Sequence, residues 1–268
     1  MIDRLPIPFR QRTPRVSVVR LQGVIAAGGS RGTLNHAQLA PVLERAFRRN
    51  RPAAVAIVVN SPGGSPVQSA LIGSHLRRLS DELEVPLHAF VEDVAASGGY
   101  WLAAAADDIW LDRSSITGSI GVISAGFGFQ DLMARYGIER RVHTAGEDKS
   151  MLDPFRPERE EDVVRLKALQ HAIHEHFIDH VRSRRGARLS DDRNLFTGEI
   201  FVGQGAVDAG LADGIDHLVP RMKAIYGDKV RFQSFAARRP LFGRLMPGVI
   251  DAVVDRIDAR AHWARYGL

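Results

Sequence analysis

Ser97 is the residue around which chemistry can be built. It stands in Asp93-Val-Ala-Ala-Ser97-Gly-Gly-Tyr-Trp101, after an apolar run and before a segment of small residues. A serine at a strand-to-helix corner presents its Oγ, and the next amide, here that of Gly98, points the same way. This is the geometry of a nucleophile. The same placement also suits a helix N-cap, and Ser-Gly-Gly alone does not choose between them. A free serine hydroxyl is a poor nucleophile and needs an adjacent base.

Two further segments supply the parts such a serine needs. Asn60-Ser-Pro-Gly-Gly64 follows a β-branched run and precedes a helical pattern. Glycines there let backbone N–H groups turn inward, where they can hold an oxyanion or a phosphate. A plain strand-to-helix turn is the alternative; no Gly-Lys-Ser/Thr follows, so it is not a P-loop. Lys149, in Gly146-Glu-Asp-Lys-Ser-Met-Leu-Asp-Pro-Phe155, is the candidate base. A lysine has a reference pKa near 10.4, and burial beside apolar groups makes it able to take a proton. A loop lysine beside Glu147 and Asp148 also reads as a solvated surface residue.

Histidines do not offer a better base. His171, His174, His176 and His180 cluster on one charged stretch, and His176 and His180 could meet on one helical face as metal ligands. A solvated helix face is the competing reading, and the absence of His-Glu-x-x-His disfavours a zinc peptidase. No cofactor and no metal are expected.

The elements that must position these residues alternate. Val16–Leu21, Ala53–Val59, Leu87–Val91, Ile109–Leu111 and Gly121–Ile123 read as strands. Leu39–Arg49, Val67–Leu79 and Ser97–Ala106 read as helices between them. A further strand is predicted over Arg141–Thr144, then a long charged helix over Arg156–Arg185, a strand over Phe196–Val202 and a short helix over Gly203–Leu211. Such alternation predicts an α/β fold with a parallel sheet and right-handed crossovers. Arg231–Pro240 reads as a basic loop, and Val249–Tyr266 as an amphipathic C-terminal helix.

Composition bounds the rest. The 268 residues, 45% hydrophobic and 25% charged, exclude a disordered or fibrous chain. With no cysteine there is no disulfide, thiol nucleophile or cysteine-ligated metal. The net charge of +5 is spread along the chain and aromatics make up only 7%, which argues against a nucleic-acid partner. No apolar stretch reaches the ~18–20 residues of a spanning helix, and no signal-peptide core follows the basic start. The expectation is a cytoplasmic protein, with the C-terminal helix either packed on a subunit or touching the inner membrane peripherally.

Taken in order, Asn60-Ser-Pro-Gly-Gly64, Ala95-Ala-Ser-Gly-Gly-Tyr100, Thr117-Gly-Ser-Ile-Gly-Val122 and Lys149-Ser-Met-Leu-Asp-Pro-Phe155 resemble the signal peptide peptidase A family of serine peptidases. That family is related to the Clp proteases and crotonases, whose fold repeats β-β-α units. The resemblance runs from Val16 to about Val219 and implies residues 1–15 as a basic tail, 16–219 as the peptidase domain and 220–268 as an extension. It implies Ser97 as nucleophile, Lys149 as general base 52 residues downstream, and Ser119 as the residue that orients the lysine. Gly64 and Gly98 would supply the oxyanion-hole amides.

In Clp-type proteases the base is a histidine, and the corresponding position here is Val122, so a serine–histidine pair is disfavoured. The resemblance implies an endopeptidase acting on signal peptide remnants or other short, unfolded polypeptides, assembled as a homo-oligomeric ring. Ser97 and Lys149 would then meet within one subunit or across an interface. A catalytically silent scaffold subunit and a crotonase-like acyl-CoA enzyme are the rival readings.

Overall fold

The computed structural model describes residues 13–28, 33–146, 149–191, 194–236 and 263–267. The chain begins with β1 (Arg15–Gln22), the short pair β2 (Val24–Ile25) and β3 (Thr33–Leu34), and α1 (His36–Arg48). Next come β4 (Ala54–Ser61), α2 (Pro66–Leu83), β5 (Leu87–Ala96), α3 (Gly98–Ala104), β6 (Asp108–Leu111) and β7 (Ile116–Gly118). A small α4 (Gln130–Arg135) precedes the long α5 (Glu160–Arg185). The closing part holds β8 (Ile200–Val202), α6 (Gln204–Asp208), β9 (Gly214–Ile215), α7 (Leu218–Tyr226) and β10 (Arg231–Phe235).

The main sheet runs β10-β1-β4-β5-β6-β9, and every pairing along that path is parallel. Its centre is β4, buried at all eight positions because layers cover both faces. On one face α1, α2, α3 and α5 pack Leu43, Phe47, Ile72, Leu76, Leu102 and Phe177 against Val55, Ile57 and Val59. On the other, Val16, Val18, Ala56, Val58 and Phe90 meet Met222 of α7 and Val230. Alternate side chains of one strand thus feed two separate cores. The expected α/β architecture with a mostly parallel sheet is what the molecule adopts.

Helix starts follow their local sequence. Asn35 caps α1 through its side chain, which accepts from Gln38 N at 2.9 Å, and Ser65 caps α2 with Pro66 in the first turn. A buried knot ties α5 to the closing part: Arg185 donates to both carboxylate oxygens of Asp213, at 2.7 and 3.2 Å, and to Gly210 O at 2.8 Å.

Three expectations need correction. Gly121–Ile123 forms no strand; the strand lies just before it, at Ile116–Gly118, where the backbone finds a partner in β5. Arg141–Thr144 forms no strand and pairs with none among the described residues. Within the predicted loop at 231–240, Arg231–Phe235 is a strand, because β1 offers its free edge and the five residues pair in register from Arg15 to Val19. Most of the predicted helix over Val249–Tyr266 lies outside the described residues.

Candidate active site

β5 delivers the serine. Its first half pairs with β6 and its last three residues with β7. Between these halves it gains length on β4: Val59 faces Val91, yet Ser61 faces Ala95. A bulge of this kind bends a strand and re-aims the side chains beyond it. Ser97 then sits at φ 52° and ψ −123°, and its side chain makes no capping bond to α3. The hydroxyl is therefore not spent on the helix. An L-residue holds such a backbone only where its surroundings fix it. Here the Ser97 amide donates to Gly118 O at 2.9 Å, and Ser97 O accepts from Trp101 N at 3.0 Å.

The Asn60–Gly64 turn packs directly on this corner. A Cβ on Gly63, which has φ +99°, would lie 2.7 Å from Gly98 N and 2.8 Å from the Ser97 Cβ. Gly64, at φ +139°, comes so close to β2 that a Cβ would sit 2.0 Å from Ile25 O. Its neighbours are bridged to β2 by Ile25 N to Gly63 O at 2.8 Å and Ser65 N to Ile25 O at 2.7 Å. Among the described residues, the amides of Gly64 and Gly98 enter none of the backbone hydrogen bonds of these turns. Gly98 opens α3, where a helix leaves its first amides unpaired. Gly63→Ala is therefore expected to cost about 1–3 kcal/mol of stability through strain and overpacking. Turnover should fall with it, and a thermal melt run beside an activity assay checks both.

Ser119 shares the corner. It too has a positive φ, 51°, and its amide donates to Glu199 O at 2.7 Å. Its Oγ stands 3.4 Å from the hydroxyl of Tyr266, which also reaches Pro62 O at 3.5 Å. The described C-terminal turn, 263–267, thus reaches the candidate site, a placement that sequence reasoning had not assigned.

Lys149 stands apart from this group. It is exposed, and among the described residues its amine has no hydrogen bond or ion pair to Ser97, Ser119 or any other side chain. The segment that carries it is nevertheless fixed. Arg140 bonds Asp153 at 2.7 Å, Phe129 N donates to Pro154 O at 2.6 Å, and Leu152 N reaches Asp162 of α5 at 3.4 Å. Phe129 stacks on Phe155 with ring centroids 5.6 Å apart. This arm around α4 buries little of itself: α4 contributes no buried residue, and Phe127 and Tyr136 are 81% and 71% exposed.

The histidines of α5 do not gather as ligands. His176 is exposed, whereas His180 stacks on Trp101 at 4.8 Å and its Nε2–H donates to Trp101 O at 3.0 Å. Burial pushes the His180 imidazole below its ordinary value, which keeps it neutral in that role. His174 Nε2 donates to Ile120 O at 3.0 Å.

Comparison with known proteins decides what this corner belongs to. The model of peptidase family S49 matches residues 80–224, more than half of the chain and the stretch that holds Ser97, Ser119 and Lys149. The chain belongs to peptidase family S49. Among S49 relatives, the chloroplastic serine protease SPPA of Arabidopsis thaliana is 30% identical over 210 residues, covering 73% of this chain and 30% of that protein.

A Brucella melitensis protein named Na(+)/H(+) antiporter NhaA is 46% identical over 282 residues, 98% of this chain. The chain spans only 38% of that protein's length, so the antiporter name describes a much larger molecule. Among the described residues of this S49 chain, no helix is long and apolar enough to cross a membrane.

The fold of the S49 chain is shared with a mutant of the 1510-N membrane-bound stomatin-specific protease. That likeness has a TM-score of 0.52 at 13% identity, over 84% of this chain and 99% of the other. The resemblance to the signal peptide peptidase A family is borne out by the family match over residues 80–224.

Proposed function

We propose that this S49 peptidase is an endopeptidase with Ser97 as nucleophile and Lys149 as general base. The observation that carries the reading is the Ser97 corner, where a hydroxyl that caps nothing sits on a constrained backbone next to the Gly98 amide and against Gly63. Neutral Lys149 takes the Ser97 proton as Oγ adds to a peptide carbonyl. The two amides hold the resulting oxyanion. The lysine then gives that proton to the departing amine, and water releases the acyl-enzyme. Ser119 orients the lysine amine. The substrates are signal peptide remnants or other short, unfolded polypeptides.

An amine in water is protonated and cannot accept a proton, whereas apolar surroundings favour its neutral form. Lys149 and the apolar arm beside it are both uncovered in the single chain. Both are served if a second copy packs on the arm, and the proposal therefore includes a homo-oligomeric ring in which subunit contact completes the site. Phe127→Asp with Tyr136→Asp should shift the assembly to smaller species in sedimentation and lower hydrolysis of unfolded casein in step. Full activity from a monomer would remove the ring from the proposal and leave the dyad to be tested on its own.

A further inference from the structure

The turn that carries Ser119 is gripped from three sides. Gly118 O accepts from the Ser97 amide at 2.9 Å, and the Ser119 amide donates to Glu199 O at 2.7 Å. Ile120 O accepts from His174 Nε2 at 3.0 Å. The first two are backbone bonds that many sequences could make. The third is the work of one side chain, reaching 54 positions along the chain.

That bond acts at a sensitive place. Ser119 holds a left-handed backbone, which a residue with a Cβ keeps only when its neighbours impose it. Ile120, next in the chain, is fully buried, so a freed carbonyl there would have no ready exchange for water. The same helix grips the other half of the corner six residues on, where His180 donates to Trp101 O of α3. Helix α5 therefore clamps both the segment that follows the nucleophile and the segment that follows Ser119.

We propose that His174 is a positioning residue for the peptidase reaction: its Nε2–H fixes the Ile120 carbonyl, and through it the left-handed backbone that aims the Ser119 hydroxyl. The proposal rests on the reading of Ser119 as the lysine-orienting residue. His174 touches neither substrate nor nucleophile in this role; it acts through the turn. A neutral imidazole protonated on Nε2 is sufficient.

The test uses the full chain with His174→Ala, His174→Gln, Ser119→Ala, the Ser119→Ala/His174→Ala double variant and Ser97→Ala. Hydrolysis of a fluorogenic peptide gives kcat and KM for each, and a thermal melt gives stability. His174→Ala should lower kcat by about 10- to 100-fold, the effect of a slightly misplaced catalytic group, with KM little changed. His174→Gln, whose side-chain N–H can meet the same carbonyl, should recover most of that loss. Because His174 acts through Ser119, the double variant should be no slower than Ser119→Ala alone.

An unchanged kcat in His174→Ala, or additive losses in the double variant, would overturn the proposal. So would a kcat loss that glutamine does not restore and that merely tracks a fallen melting point. Activity surviving in Ser97→Ala brings down the whole reading of the site. With Ser97→Ala and Ser119→Ala impaired and His174→Ala at full rate, only the role of His174 falls. If His174→Ala does not fold, His174→Leu, which fills the space but cannot donate to the Ile120 carbonyl, takes its place alone and combined with Ser119→Ala, with the same results expected.

Discussion

Ser97→Ala should erase hydrolysis of both unfolded casein and short fluorogenic peptides, a loss of about 10⁴- to 10⁶-fold in kcat. Lys149→Ala should match it, because residues that act as one unit do not lose activity additively, and the double variant should be no worse than either alone. The two side chains fail for different reasons. Without Ser97 no acyl-enzyme forms, whereas without Lys149 the hydroxyl keeps its proton through the attack. Both variants should melt as the parent does, since Ser97 caps no helix and the Lys149 amine has no partner among the described residues. Residual activity in Ser97→Ala above the blank rate would sink the mechanism.

The largest effect on stability should come from Asp213→Ala. Arg185 is almost wholly enclosed, with 2% of its side chain exposed, and its charge is met by Asp213 at 2.7 Å. Asp213 also accepts from Ile109 N at 2.8 Å and from Arg188 at 3.1 Å. Removing the carboxylate leaves a buried guanidinium uncompensated, which costs about 3–5 kcal/mol. A fall of about 10 °C in the melting midpoint is expected for a chain of this size. Burial alone would raise the Asp213 carboxyl, but the Arg185 hydrogen bonds and charge outweigh it and hold the group below its ordinary 3.8.

The sign of the pH effect is set by that direction. A carboxyl depressed in the folded state stabilises the fold at every pH above the unfolded value and loses that contribution as pH falls through the folded one. Acid unfolding of the parent should therefore steepen below about pH 4, and the Asp213→Ala chain should lack that step. An unchanged midpoint in the variant would mean that water reaches Arg185 in its place.

Where two layers bury a strand, its residues announce it. Ala53–Val59 and Leu87–Val91 were readable as largely apolar runs, which β4 and β5 need because layers bury them on both faces. Ser97-Gly98 and the Asn60–Gly64 glycines were readable as small residues that such turns require, whereas Ser119 came only from the family resemblance. The edges were not. Arg231–Phe235 exposes Arg231 and Ser234 and pairs on one side only, so its composition resembles a loop's. Gly121–Ile123 carries β-branched residues without a neighbouring strand, and propensity alone does not make one. His174 looked like one of a histidine cluster, because the carbonyl it serves lies on a segment that only the folded chain brings near. Tyr266 gave no sign of reaching Ser119, since that contact spans 147 positions.

The pairing of β10 with β1 has a consequence for how the molecule is made. The first strand of the sheet waits for a partner that lies more than two hundred residues away, from Arg15 to Arg231. On a ribosome adding about 5–20 residues per second, β1 stays unpaired on that edge until nearly the whole described sheet has emerged. During that interval the face bearing Val16 and Val18 also lacks Met222 and Val230, which come late in the chain. An exposed parallel edge above a bare apolar face is a surface that recruits other strands. The nascent chain is thus most prone to aggregate just before its final turn of assembly, and holding chaperones should bind it then rather than earlier.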